Sequence, residues 1–194
     1  MYSLALDSSD KLLVVGLFKD DVLIENISYL AWQKQSEYMV SEIDKALKKH
    51  NVSPKDIEEI LVTKGPGSYT GLRIALTIAK TYGVVLNVKV YELSSLKVLS
   101  KKGETSICLM NARSARSYFG VYKDNEIIEE DKVLSNVEVK EYIENHPEYV
   151  VCGDTEYLGI EGYRANIAQR MFELKNKKDE VEDILKLKAV YLKD

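Results

Sequence analysis

The sequence predicts an α/β protein of two tandem β-β-β-α-β-type halves, each a small mixed sheet with helices, the second half reduced. Three observations carry this reading. Short apolar runs separated by tight polar turns open the chain, which is the pattern of hairpins. From residue 36 the apolar spacing changes to a helical period. After Lys101-Lys102-Gly103 the order strand, strand, strand, helix, strand recurs, a repeat of element order rather than of sequence.

In the first half, residues 2–6 form an apolar strand ending at Asp7. The turn Ser8-Ser9-Asp10 leads to a second run, 12–18, and Lys19-Asp20-Asp21 to a third, 22–29, completing an antiparallel meander. Over residues 36–49, Met39, Val40, Ile43, Ala46 and Leu47 share a face about 120° wide, as a helix lying on a sheet requires. Ser53-Pro54 reads as a cap with a first-turn proline. Residues 57–62 make a fourth strand, stopped by Gly65-Pro66-Gly67-Ser68. A second helix over 68–82, a fifth strand over 84–90 and a short helix over 94–100 follow. The second half gives strands at 105–110, 118–122 and 126–133, a helix at 136–144 and a strand at 149–152. An amphipathic helix at 163–175 carries Ile167, Met171, Phe172 and Leu174, and the mixed-charge stretch 173–183 reads as a solvated face.

Composition narrows the function classes. The 194 residues include 27 basic and 31 acidic side chains, a net charge of −4, with 45% apolar and 30% charged residues. That is folded, globular composition. The mild acidity argues against an autonomous nucleic-acid binder, whose field is normally basic, though not against a subunit of an RNA-acting complex. Cys108 and Cys152 lie in apolar runs and form no CxxC, so they read as buried free thiols in a reducing compartment. No run approaches the roughly 18 apolar residues of a membrane span, and no basic leader precedes the first strand. The expectation is a cytoplasmic protein with no membrane association.

GPGSYTGLRIALTIAK, residues 65–80, is the most specific segment. It is not a Walker A loop, and Thr70 stands where a GxGxxG fingerprint needs its last glycine. A tight strand-to-helix turn explains the glycines, with Ser68 as cap; an anion site at the helix N-terminus is the sharper alternative. On the helix itself, Arg73, Thr77, Lys80 and Thr81 share one side, and the remaining arc of about 200° is apolar or small. A sheet covers only about half of that. The surplus calls for a second helix, a partner protein or both, with Gly71, Ala75 and Ala79 forming a small-residue groove.

GPGSYTGLRIALTIAK resembles the GPGS[FY]TGLRIG-type signature of the TsaB (YeaZ-type) family of bacterial tRNA threonylcarbamoyladenosine biosynthesis proteins. LALDSS at 4–9 is similar to the family's opening strand and Asp-Thr-Ser turn, with Ser8 replacing threonine. SEYMVSEIDKAL resembles its first helix, LMNARSARSYFGVY at 109–122 its Asp-Ala-Arg…Tyr strand-turn-strand, and AVYLKD its closing Pro-x-Tyr-Leu-Arg element. The resemblance spans nearly the whole chain and implies an actin/Hsp70/sugar-kinase-like (ASKHA) architecture. It implies subdomains at 1–100, with the dimerisation helices, and 104–194. It also implies an accessory subunit of the threonylcarbamoyladenosine (t6A) modification complex, partnering a metal-bearing, catalytic TsaD-type paralogue and a TsaE-type P-loop ATPase. ATP or ADP and the divalent metal then belong to those partners, and this chain requires no cofactor. Alone it is expected to be a homodimer, reaching tRNA only through the complex. The paired-helix mode implied by the family, with the wide arc, makes Tyr38, Gly71, Leu72, Ala75, Leu76 and Ala79 the expected partner interface.

The residues agree that this chain is not the catalyst. Threonylcarbamoyl transfer to a weak amine needs electrophilic help, yet His50 and His146 are far apart and no HxxxH motif occurs. Asp7, Ser8 and Ser9 are the candidate positions of a vestigial phosphate turn, but the turn lacks the glycine that admits a phosphate closely, and Asp10 would repel one. Asn111 replaces the family's aspartate. Arg113 and Arg116 flank the second turn, where an anion is one reading and solvated turn arginines the other. An actin-like-fold kinase or ATPase with a degenerate nucleotide site is the alternative function, and a metallopeptidase the third.

Overall fold

Five strands form the first sheet in the order β3-β2-β1-β4-β5: β1 (Tyr2–Asp7), β2 (Leu12–Lys19), β3 (Val22–Leu30), β4 (Ile57–Gly65) and β5 (Lys89–Ser94). The structure, a computed structural model, describes residues 1–31 and 33–192. The first three strands are an antiparallel meander, and β4 and β5 join it in parallel. Parallel pairing demands crossovers, which α1 (Gln35–Lys49) and α2 (Tyr69–Leu86) supply. The second sheet has the order β8-β7-β6-β9, from β6 (Thr105–Arg113), β7 (Arg116–Lys123), β8 (Glu126–Ser135) and β9 (Val150–Gly153), with α3 (Asn136–Asn145) crossing from β8 to β9. It repeats the first sheet without a fifth strand.

The elements follow the apolar pattern closely, with three differences. Residues 84–86 finish α2 instead of opening a strand. Gly83 does not stop the helix because it is a contact point: a Cβ there would lie 3.0 Å from Ile184. Asn87, at φ 56°, makes the left-handed cap, so the helix ends four residues later than expected. The short helix expected over 94–100 is a single 3-10 turn, Lys97–Leu99. The helix expected over 163–175 is shorter, α4 (Ile167–Leu174), because Asn166 caps it by accepting the Gln169 amide.

The main core lies between the first sheet and α1/α2, where Leu4, Leu6, Val15 and Leu17 meet Met39, Ile43, Leu72 and Leu76. The other face of the same sheet is covered by α4, whose Ile167, Ala168, Met171 and Leu174 pack on Ala5, Val14, Phe18 and Leu61. Gly16 permits this approach, since a Cβ there would stand 2.6 Å from Ala168. The last part of the chain therefore belongs to the first sheet. Val181 N–H donates to Val90 O at 2.8 Å and Val190 N–H to Lys64 O at 2.7 Å. The grouping of 104–194 as one unit is thus corrected: the second sheet stands after the linker, but α4 and the C-terminal segment beyond it return to the first half.

Candidate functional site

The first turn and the glycine loop are built into each other. Asp7 ends β1 and is 2% exposed. Its Oδ1 accepts the Ser9 N–H at 3.1 Å and also the Thr63 hydroxyl, so the turn is closed by an Asx-type bond. Ser8 Oγ donates to Gly71 O at 2.7 Å, and Ser68 N–H donates to Ser9 O at 2.6 Å. A Cβ on Gly67 would meet Ser9 O at 2.3 Å, and one on Gly71 would meet Ser8 O at 1.9 Å. Ser68 Oγ caps α2 by accepting the Gly71 N–H at 3.3 Å. Gly67 and Gly71 thus admit the Ser8-Ser9 turn against the start of α2.

Beside this joint is a cavity of about 390 Å³ between the two sheets. Asp7, Asp10, Asp154 and Glu156 line it, against the cations Lys11 and Arg164. Lys11 Nζ pairs with Asp154 Oδ2 at 2.8 Å, and Arg164 pairs with Glu156 at 3.1 Å. Burial and then the charge of Asp154 push the Asp10 carboxyl up to about 6, with Lys11 opposing. Burial also raises the Asp7 carboxyl. Four carboxylates against two cations make this lining net acidic, and the Ser9 N–H is already donated to Asp7 Oδ1.

The other polar candidates are engaged locally. His50 Nε2 lies 2.9 Å from Glu25, and His146 is stacked between Tyr142 and Tyr149. Asn111 Oδ1 accepts the Arg113 N–H at 2.8 Å inside its turn. Cys108 and Cys152 are buried register partners on β6 and β9. Among the described residues no group of three His, Cys, Asp or Glu is arranged to hold a metal ion, and no helix is long and apolar enough to cross a membrane.

The expected interface requires correction. Gly71, Leu72, Ala75, Leu76 and Ala79 are all buried within the chain, Leu72 and Ala79 completely. These side chains seat α2 on its own sheet, and the flank at Leu76 and Gly83 is met by residues 184–191. They do not face a partner. Tyr38 is at the surface, yet on the flank of α1 toward β3, where its phenol influences Tyr29. It lies about 120° round the helix from Asp44, whose charge raises the Tyr82 phenol of α2 after the larger effect of burial. The apolar surplus of α2 is real but sits at one edge of the arc. Ile74, Ile78 and Tyr82 are half-buried, and Val85 is 71% exposed. On α1, Val40 is likewise exposed and lies about 40° round its helix from Asp44. The arc read from the sequence contained Ile74, Ile78 and Tyr82 but not Val85, which the sequence had suggested for the fifth strand, and the edge facing out was misassigned. Asp154, Glu156 and Arg164 had no such signal, being about 150 residues from the turn they face.

The fold and the sealed first turn define an α/β chain of the TsaD-like, actin-type architecture. The family described as TsaD: tRNA N6-adenosine threonylcarbamoyltransferase matches residues 29–141. The chain is 31% identical to the tRNA threonylcarbamoyladenosine biosynthesis protein TsaB of Bacillus subtilis, covering 87% of this chain and 82% of that one. An uncharacterized protein of Mycoplasma pneumoniae is 30% identical over 100% of this chain and 95% of its own length. The solved structure of YeaZ from Pseudomonas aeruginosa superposes with a TM-score of 0.82 at 18% identity, covering 98% of this chain and 99% of that one. The chain belongs to the TsaB (YeaZ-type) family.

Proposed function

We propose that this chain acts in tRNA threonylcarbamoyladenosine biosynthesis as a non-catalytic partner subunit. It supports a TsaD-type paralogue, which transfers the threonylcarbamoyl group to the adenosine 3′ of the anticodon. The family supports the pathway. The observation that supports the non-catalytic role is the Ser8-Ser9 turn packed tightly onto Gly67 and Gly71 beside four carboxylates, which leaves the turn little room and an acidic setting for a phosphate. On this reading the chain needs no cofactor of its own. ATP or ADP and a divalent metal act on the TsaD-type subunit and on a TsaE-type P-loop ATPase, in the cytoplasm.

Pairing uses the α1–α2 seam. Val40, Ile74, Ile78, Tyr82 and Val85 offer apolar side chains to the same two helices of the paralogue, or of a second copy when the chain is alone. The test is depletion of the chain in cells, with t6A measured by mass spectrometry of tRNA nucleosides, and co-purification with the catalytic paralogue. Loss of t6A on depletion and restoration by the wild-type chain are expected. Unchanged t6A, or robust magnesium-dependent ATP hydrolysis by the pure chain abolished by Asp7→Ala, would overturn the reading.

A further inference from the structure

We propose that the groove between α2 and the C-terminal segment holds a single-stranded RNA loop, with a base stacked on the Tyr69–Tyr191 platform and phosphates held by Arg73, Lys80 and Lys188. This rests on the proposed function, in which the substrate of the complex is tRNA.

The groove has a volume of about 710 Å³, and its walls are the outer side of α2 and residues 187–191. Its cations are Arg73, Lys80 and Lys188, and among the described residues no carboxylate lines it. That is an exception in a chain with more acidic than basic side chains. At one end Tyr69 and Tyr191 are stacked, with ring centroids 5.2 Å apart and planes at 28°. They remain 59% and 45% exposed, so the pair presents aromatic surface to solvent. The platform is braced from below. Arg73 donates to the Tyr69 hydroxyl at 2.5 Å, with its guanidinium 5.0 Å from that ring's centroid. Tyr191 is held through its neighbour Val190, whose amide donates to Lys64 O at 2.7 Å. Lys80 is positioned by donating to Leu185 O at 3.0 Å and retains further N–H donors.

Nucleic-acid chemistry accounts for both halves of this arrangement. Cations that track a backbone, joined to an aromatic face that takes any base, are what single-strand binding uses. Arg73 and Lys80 are seven residues apart on α2, about 10 Å, which is about three nucleotides of stacked strand at 3.4 Å each. An acidic protein segment would use the cations and leave the rings idle. The aromatic residues that lie scattered in the sequence are here interleaved with basic ones, at positions 69, 73, 80, 188 and 191. RNA affinity of the isolated chain is expected to be weak, because a few cations in a net-acidic molecule release few counterions.

The test is fluorescence anisotropy of a labelled anticodon stem-loop RNA with the full chain at about 50 mM salt, followed by a salt series. A polyglutamate peptide serves as the protein-like competitor. Wild type should bind weakly and with clear salt dependence. Tyr191→Ala should weaken binding by about fivefold or more at an unchanged salt slope, since it removes stacking and no charge. Arg73→Gln with Lys188→Gln should flatten the slope by roughly 1.4 to 1.8, the loss of two phosphate contacts. All of these positions except Lys80 are exposed, so unchanged thermal melting is expected and is checked for each variant. Absence of RNA binding by the wild type, or binding insensitive to both variants, would overturn the proposal. So would variants that abolish polyglutamate binding while sparing RNA, an outcome that assigns the groove to an acidic protein. The parent reading fails separately: it falls if depletion leaves t6A unchanged, whereas the groove alone falls if the variants restore t6A fully and bind RNA as wild type does.

Discussion

The carbonyl oxygen of Ser8 lies against the Cα of Gly71, leaving 1.9 Å for any Cβ placed there, while Ser8 Oγ donates to the Gly71 carbonyl. Two segments more than 60 residues apart are thereby fixed backbone to backbone. This contact gives the glycine of the GPGSYTG segment a structural reason. Glycine within an exposed helix normally costs about 0.5–1 kcal/mol relative to alanine. Here the sign should reverse. Gly71→Ala is expected to destabilise the chain by about 3 kcal/mol or more, because backbone must move to admit the methyl. Urea denaturation measures it, and a stabilised Gly71→Ala would show that the contact is not maintained.

Substitutions on α2 should separate its two faces. Leu76 is core, so Leu76→Glu buries a carboxylate without a partner and is expected to unfold the chain. Ile78→Glu places its charge at the half-exposed seam and should leave a folded protein. On the proposed pairing mode, Ile78→Glu then abolishes co-purification with the catalytic paralogue. Circular dichroism and size-exclusion chromatography distinguish the outcomes: a folded Leu76→Glu protein would contradict the packing, and normal pairing by Ile78→Glu would contradict the seam as interface.

Much of this architecture is legible in the sequence, because strands and helices declare themselves through apolar period and turn residues. The meander, both crossover helices and the repeated order in the second half come from those local signals. What is not legible depends on distant closure. The arc of α2 is visibly too apolar for one sheet, yet which part faces out is decided by residues 184–191, which meet Leu76 and Gly83. The acidic cavity is assembled the same way, from Asp10 and Asp154, and neither residue is unusual in its own segment. α4 reads correctly as amphipathic, but an amphipathic stripe does not say which sheet it will cover.

Asp10 should make stability depend on pH. Its carboxyl is raised from 3.8 to about 6 in the folded chain, so the folded state holds this proton more tightly than the unfolded state does. The folded state is therefore unpenalised below pH 4 and loses stability as pH rises through 4 to 6, with the full cost present above. Asp10→Asn should remove that slope and raise stability at pH 7 by about 1–2 kcal/mol, allowing for solvent screening. Lys11→Met should move the carboxyl titration further upward, because Lys11 is the main charge opposing the shift. Carbon-detected NMR of the Asp10 carboxyl gives both midpoints. A midpoint near 4 in the wild type would exclude the acidic environment described for the cavity.

Arg170 should prove the principal polar brace between the halves. It lies on α4, packed against the first sheet, and is 5% exposed. Its Nε donates to Ser100 O at 2.9 Å and its Nη2 to Ser100 Oγ at 3.1 Å, gripping the end of the first half just before the linker. Nη2 also reaches Asp124 Oδ1 at 2.7 Å, in the turn between β7 and β8 of the second sheet. Asp124 in turn accepts the linker amide of Gly103 at 3.1 Å. One guanidinium thus ties α4, the linker and the second sheet, and the planar fork makes several bonds that an ammonium cannot reproduce. Arg170→Lys should retain the charge and lose the geometry, costing about 1–2 kcal/mol, while Arg170→Ala should cost about 3 kcal/mol by leaving Ser100 O without its buried donor. The position of the damage is the sharper test. Hydrogen exchange should accelerate at the Gly103 amide and across the β7–β8 turn before it does so in β1 or β4, whose ladders do not depend on Arg170. Uniform acceleration throughout both sheets would instead mean that Arg170 contributes to global stability without bracing the joint.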